Sequence, residues 1–226
     1  MHLRIGFGVS GFGRAAIHTI QYLRRFRPHA EFLVLLGPTA EPSLKSVFKS
    51  LNVETVQLGH VRAEIPAELD HIMVRKNPCD FWMLTFRHLI PANVVNELKH
   101  RIINLHPTLL PSFGGLHGFD NQKRSHSVIQ GATCHFVDEG IDTGPIISVF
   151  VMPRNPGLEW RVSEAAFARG VNLLHTQTAV WMVDRRVLST SSRPRVENAS
   201  YTSLPFVPSL DEPELLTLAS AELSTL

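Results

Sequence analysis

Short apolar runs alternate with segments of helical period along most of this chain. Leu3 to Val9 reads as a buried strand, and Gly13 to Arg25 as a helix with Ala16, Ile17, Ile20 and Leu23 on one face. Glu31 to Leu36 predicts a second strand closed by Gly37-Pro38, Leu44 to Leu51 a short helix, and Val53 to Val56 a third strand. Pro66 to Lys76 has a helical period, and Pro78 stops it because proline cannot continue a helix. Phe81 to Leu84 is a fourth strand. Pro91 suits a first helical position and opens Ala92 to Lys99, after which Arg101 to Ile103 is a fifth strand. Ala132 to Val137 and Pro145 to Val151 read as further strands, and Leu158 to Val183 as a long helix. This order predicts an α/β class with a doubly wound, mainly parallel sheet.

Composition narrows the picture. A chain of 226 residues can bury one core of ordinary size. We expect a single catalytic domain over residues 1–187 and a tail over 188–226, where Ser, Thr, Pro and Asn become frequent and the helical pattern stops. The last residues, Asp211 to Leu226, read as an acidic amphipathic helix or a loose end. With 22 basic and 20 acidic residues the net charge is +2, too balanced for a nucleic-acid surface. Neither a membrane span nor a signal peptide is expected, because no apolar run approaches 18 residues and the chain opens directly into a strand. Cys79 and Cys134 have no C-x-x-C partner, which points to a reducing, cytoplasmic setting.

The most informative residues lie where two predicted strands end. Ile102-Ile103 runs into Asn104-Leu105-His106-Pro107, and the later apolar run leads into Asp138-Glu139-Gly140-Ile141-Asp142-Thr143-Gly144-Pro145. If both strands lie in one sheet, Asn104, His106 and Asp142 meet at its carboxyl edge, where open α/β sheets bind ligands. Acyl transfer uses such a set: an amide donor for a developing oxyanion, an imidazole proton carrier, and a carboxylate that favours its charged form. A lone His before Pro is more often structural, and Asp-Thr-Gly-Pro makes a turn by itself. Order, spacing and chemical fit together favour the catalytic reading. His100, His106, His117, His126 and His135 form no H-E-x-x-H pattern and no carboxylate cluster, so no metal is expected.

Asn104 to Phe113, Gly115-Leu116-His117 and His135 to Ile147 together resemble the 10-formyltetrahydrofolate-dependent formyltransferase family, which includes glycinamide ribonucleotide, sugar-amine and methionyl-tRNA formyltransferases. The resemblance extends over roughly residues 3 to 185 and is dense between 101 and 147. It implies a Rossmann-like fold, 10-formyltetrahydrofolate as co-substrate, and a catalytic triad of Asn104, His106 and Asp142. It also implies a pterin pocket walled by Phe86, Arg87, His88, Leu89 and Ile90 and by the main chain of Val137, Asp138, Glu139, Gly140 and Ile141. His117 falls where the family also has a histidine, with an orienting role, and His135 reads as a packed residue.

The first loop departs from the ribonucleotide-directed members. They carry Gly-x-Gly-Ser-Asn, whereas Gly11, Phe12, Gly13 and Arg14 stand here, and Val171 falls where their long helix carries a Glu. Gly11 to Arg14 suits a small amine acceptor bearing a negative group, such as an amino sugar nucleotide or an amino acid. We therefore expect an N-formyltransferase acting on a small primary amine, with neither nucleic acid nor membrane as partner and a homodimer allowed. Two alternatives differ in class. One is a 10-formyltetrahydrofolate hydrolase releasing formate. The other is a nucleotide-binding oxidoreductase or non-catalytic module, resting on Gly6-x-Gly8-x-x-Gly11 alone, although its first glycine lies inside the strand and no acid closes strand two.

Overall fold

A computed structural model of the chain describes residues 3–155, 157, 159–189, 193–202 and 204–223. Met1, His2, Leu158, Ser203 and Leu226, on which parts of the sequence reading fall, lie outside the described residues. The chain divides into two compact units, Met1–Asn104 with Phe136–Gly144, and Leu105–His135 with Pro145–Leu226.

The first unit is the parallel sheet that the alternation predicts. Its strands are β1 (Leu3–Gly11), β2 (Ala30–Ala40), β3 (Glu54–Gln57), β4 (Phe81–Thr85) and the start of β5 (Ile102–His106). Parallel pairing gives the order β3-β2-β1-β4-β5. The chain thus winds outward from β1 to β3 and returns beside β1 with β4, so the winding direction reverses between β1 and β4. The connecting helices are α1 (Arg14–Phe26), α2 (Leu44–Ser50), α3 (Ile65–Asp70), which runs into a π-helical stretch at His71–Lys76, and α4 (Ala92–Glu97). Crossovers between parallel strands are right-handed as a rule, which sets helices on both faces of such a sheet. One face packs Leu33, Leu35, Trp82, Leu84 and Ile102 against Ile65, Leu69, Met73, Val94 and Leu98. Continuous burial along the middle of β1, β2 and β4 is the mark of a sheet covered on both sides.

Gly6 and Gly8 explain part of the glycine pattern in β1. A Cβ at Gly6 would fall 2.1 Å from the Trp82 ring, and one at Gly8 2.7 Å from Leu84. These glycines make room for large side chains of the neighbouring strand. Gly6→Ala is expected to destabilise the protein by about 2 kcal/mol through overpacking, read as a lower urea midpoint; an unchanged midpoint would count against this packing.

In the second unit, β6 (Ile129–Phe136) pairs antiparallel with β7 (Ile146–Pro153), and β7 pairs antiparallel with β10 (Phe206–Val207). The long helix α6 (Trp160–Val183) crosses β7: Phe150 meets Phe167, a Cβ at Gly170 would strike the Phe150 ring, and Ser148 and Thr178 share a hydrogen bond of 2.7 Å. A short helix, α5 (Gly118–Arg124), precedes β6. The described residues of the tail form a ribbon, β8 (Val187–Ser189) with β9 (Pro194–Val196), then β10 and the helix α7 (Pro213–Leu223). Asp211 joins three of these pieces. Its carboxylate accepts hydrogen bonds from Gln177 and Trp181 of α6 and pairs at 2.7 Å with Arg186, whose guanidinium also holds the Glu197 carbonyl. No helix of the described residues is long and apolar enough to cross a membrane.

Candidate functional site

The winding direction reverses between β1 and β4, and doubly wound sheets take ligands at the carboxyl ends of the strands that flank such a reversal. Gly11 and Gly13 have φ of 74° and 64°, a left-handed path that bulkier residues resist, and the chain turns through them into α1. Helix α1 starts with no side-chain cap and no acidic residue in its first turn, so its amide groups and dipole favour an anion. Phe12 is 64% exposed, and the Arg14 guanidinium lies over its ring, 5.4 Å from the centroid. Gly11, Phe12, Gly13 and Arg14 therefore share one strand-to-helix turn.

Phe86, Arg87, His88, Leu89 and Ile90 follow β4 directly and adjoin that turn. The Arg87 N–H donates to Ser10 Oγ at 3.2 Å, while the Phe86 ring fills the space that a Cβ at Gly37 would need. Phe86 and Ile90 pack on the core, whereas Leu89 stands in solvent. His88 lies 5.0 Å from the Phe86 ring centroid. Burial, aided by the charge of Arg62, pushes its pKa down, which keeps the ring neutral. Its Nε2 is buried without a hydrogen-bond partner among the described residues.

The acidic loop starts beside Ile102, the first residue of β5. The Val137 N–H donates to the Ile102 carbonyl, extending the register of β5. Asp138 Oδ1 accepts from the Gly140 N–H at 3.1 Å and from the Thr143 hydroxyl at 2.8 Å, so this carboxylate shapes the turn. Glu139 is held by the Asn96 amide at 2.9 Å, and Ile141 is exposed. Asp142 has φ of 54°, a left-handed conformation that Asp tolerates better than most residues. Asn104 pairs in register with Leu84 at the end of β4, just before Phe86, and is half-buried. The first unit thus holds Asn104, Asp142, the turn Gly11 to Arg14 and the segments 86–90 and 137–141.

His106 opens the second unit two residues farther along β5. It is 8% exposed, and its Nε2 lies 3.1 Å from the Phe113 carbonyl oxygen. The intervening loop is stitched to β6 through Thr133, whose hydroxyl donates to the Thr108 carbonyl and accepts from the Leu110 N–H. His117 is the exposed residue before α5, and His135 is buried in β6 beside Ile146. Among the described residues no group of three or more His, Cys, Asp or Glu could hold a metal ion. Cys79 and Cys134 are free and buried, and burial pushes both thiols up to about 12.

The sequence reading missed Ser10, Asn96, Thr108 and Phe113. Ser10 and Asn96 act through hydrogen bonds to residues 77 and 43 positions away and lie outside every motif, whereas Thr108 and Phe113 act through bonds within the Asn104–Phe113 segment, where the motif names them without a role.

The sequence profile of the formyl transferase family matches residues 45–158. Among curated relatives, the trifunctional purine biosynthetic protein adenosine-3 of Drosophila melanogaster is 37% identical over 103 residues, 42% of this chain and 8% of that protein. The chloroplastic phosphoribosylglycinamide formyltransferase of Arabidopsis thaliana is 42% identical over 89 residues, 37% of this chain and 30% of that protein. The aligned stretch thus spans less than a third of either relative. A solved phosphoribosylglycinamide formyltransferase from Anaplasma phagocytophilum superposes with a TM-score of 0.78 at 20% identity, covering 91% of this chain and 97% of that one. A formyltetrahydrofolate deformylase from Pseudomonas syringae gives 0.72 at 21% identity, covering 87% and 66%. At these identities the solved structures establish a shared fold.

Proposed function

We propose that this chain, which belongs to the formyl transferase family, transfers the formyl group of 10-formyltetrahydrofolate to the primary amine of a small anionic acceptor. The observation that carries the reading is the extent of the family match. Residues 45–158 include Asn104, His106, Asp142 and both pterin-wall segments, and they leave out Gly11 to Arg14. The co-substrate half is thereby supported by family membership, while the match does not extend to the acceptor turn. The residues present suit a reduced folate. The half-buried Phe86 and the unpartnered nitrogen of a neutral His88 fit a flat heterocycle with a hydrogen-bonding edge.

When bound, the folate supplies an electrophilic formyl carbon on a nitrogen that can depart. The acceptor amine attacks that carbon, its C–N bond forms, and negative charge gathers on the formyl oxygen. Asn104 donates its amide N–H to that oxygen, and His106 donates a ring N–H. In this mechanism Asp142 takes the proton that the amine must lose, directly or through water. The departing nitrogen collects a proton as its bond to the transferred carbon breaks. No Ser or Cys nucleophile is required, because the acceptor's amine performs the attack.

For the acceptor we propose an amine carrying a phosphate or carboxylate, held by the turn Gly11, Phe12, Gly13 and Arg14, with Phe12 as an apolar wall. This favours an amino sugar nucleotide or an amino acid over glycinamide ribonucleotide. A cytoplasmic setting is supported by the two free, buried cysteines.

Incubating the protein with 10-formyltetrahydrofolate and a panel of amines, while following tetrahydrofolate and formate separately, tests the reading. Tetrahydrofolate release that depends on an amine is expected. Stoichiometric formate without any amine would replace transfer by hydrolysis. Hydrogen exchange with and without a reduced folate provides a second check. Protection should concentrate in residues 86–90 and 137–142, and its absence from both segments would remove the pterin pocket.

A further inference from the structure

We propose that the main-chain carbonyl of Phe113 fixes the tautomer of His106, placing the ring proton on Nε2. The inference rests on the catalytic reading of His106 and adds a device in the loop that follows it. A carbonyl oxygen can only accept a hydrogen bond. The contact of 3.1 Å between His106 Nε2 and the Phe113 oxygen therefore requires the proton on Nε2. In the neutral ring that proton stays on Nε2, and Nδ1 is the nitrogen whose protonation changes.

The carbonyl is held from several sides. Phe113 has φ of 57°, a left-handed conformation that a bulky residue resists and that persists only where the surroundings impose it. The Thr108 hydroxyl lies 3.1 Å from the same oxygen and 3.2 Å from the Ser112 carbonyl, so its single proton is shared between the two and restrains the turn that carries the Phe113 carbonyl. Thr108 is fully buried, and its own carbonyl accepts from Thr133 at 2.8 Å. Gly118 closes the other side, because a Cβ there would fall 1.7 Å from the Phe113 oxygen and 3.1 Å from His106 Nε2. A glycine at this position is thus a condition of the contact. Thr108, Phe113 and Gly118 are positioning residues that act through His106.

The direct test is a long-range nitrogen–proton correlation spectrum of protein labelled with 15N-histidine. The His106 signal is identified as the one missing in His106→Asn. A single tautomer protonated at Nε2 is expected, and a ring protonated at Nδ1 or an even mixture would overturn the proposal. Gly118→Ala should displace the carbonyl, mix the tautomers and lower kcat by about tenfold, with the folate KM changed less than threefold. If Gly118→Ala fails to fold, Thr108→Val removes a restraint on the position of the same carbonyl; it should lower the Nε2–H fraction and reduce kcat by about threefold. Variants that fold with tautomer and kcat both unchanged, or with a mixed tautomer and full kcat, would overturn the proposal. The spectrum is recorded without substrate. A failure of formyl transfer would leave the tautomer assignment standing, and a wrong tautomer would leave the formyltransferase reading standing.

Discussion

His106→Ala is expected to lower kcat by at least about two orders of magnitude while costing roughly 1 kcal/mol of stability. The catalytic estimate follows from the proposed role. A preorganised donor aimed at a developing oxyanion contributes about 3–4 kcal/mol, a factor of roughly a hundred to a thousand in rate. The stability estimate follows from the surroundings. Truncation removes the bond from Nε2 to Phe113, and a single neutral hydrogen bond is worth about 1 kcal/mol net. Asn104→Ala should fall in the same range of kcat, because its amide is the second donor. For Asp142 the informative variant is Asp142→Asn, since Asn tolerates the left-handed φ of 54° that Ala resists. That substitution removes the charge without straining the turn, so a loss of turnover of about two orders of magnitude reports on chemistry. Steady-state kinetics with 10-formyltetrahydrofolate and the preferred amine, paired with urea unfolding, separates the two effects. Wild-type turnover in His106→Ala would end the mechanism.

Much of the first unit was legible because its strands announce themselves locally. Apolar runs bounded by Gly, Pro and polar turns gave all five parallel strands to within a few residues, and the alternation gave their winding, although β2 runs on through Gly37-Pro38, read as its close, to Ala40. The short helix α5 was not legible. Gly118 to Arg124 contains one apolar side chain, Phe119, so no helical period exists to read. The start of β6 was hidden for a related reason, since Gln130 and Gly131 interrupt the apolar run before Ala132. Candidate site residues were legible as motifs, and their support was not. Nothing near Ser10 signals that its hydroxyl holds the Arg87 main chain, and Asn96 gives no sign that it holds Glu139. Such contacts join residues 77 and 43 positions apart, so they exist only after the sheet has formed. The glycines of β1 teach the converse lesson. In sequence they resemble a nucleotide fingerprint, yet Gly6 and Gly8 make room for Trp82 and Leu84, and only Gly11 and Gly13 shape the turn.

Arg14→Glu should raise the acceptor's KM by about two orders of magnitude and the folate's by less than threefold. The turn at Gly11 to Arg14 presents the amide groups and positive dipole of a 13-residue helix, and Arg14 supplies the only formal positive charge within those four residues. A charge-assisted hydrogen bond from a guanidinium to a phosphate or carboxylate is worth about 1.5–3 kcal/mol. Reversing the charge removes that attraction and adds repulsion. The same substitution should not weaken the fold. A glutamate in the first turn of α1 interacts favourably with the helix dipole, by a few tenths of a kcal/mol, and α1 has no acid there now. A collapse of acceptor binding in a protein of equal or greater stability would therefore isolate the effect to recognition. The folate KM is the internal control, and a sensitive one, because Ser10 links the turn to the Phe86–Ile90 segment through the Arg87 N–H. That link is a main-chain bond independent of the side chain at residue 14, so it should survive the substitution. Phe12→Ala adds a second axis. Loss of its exposed ring should weaken an acceptor with an apolar or stacking group by about tenfold, and leave a simple ribose phosphate amine unaffected. An acceptor KM untouched by Arg14→Glu, or glycinamide ribonucleotide emerging as the best amine of the panel, would show that this turn does not choose the substrate.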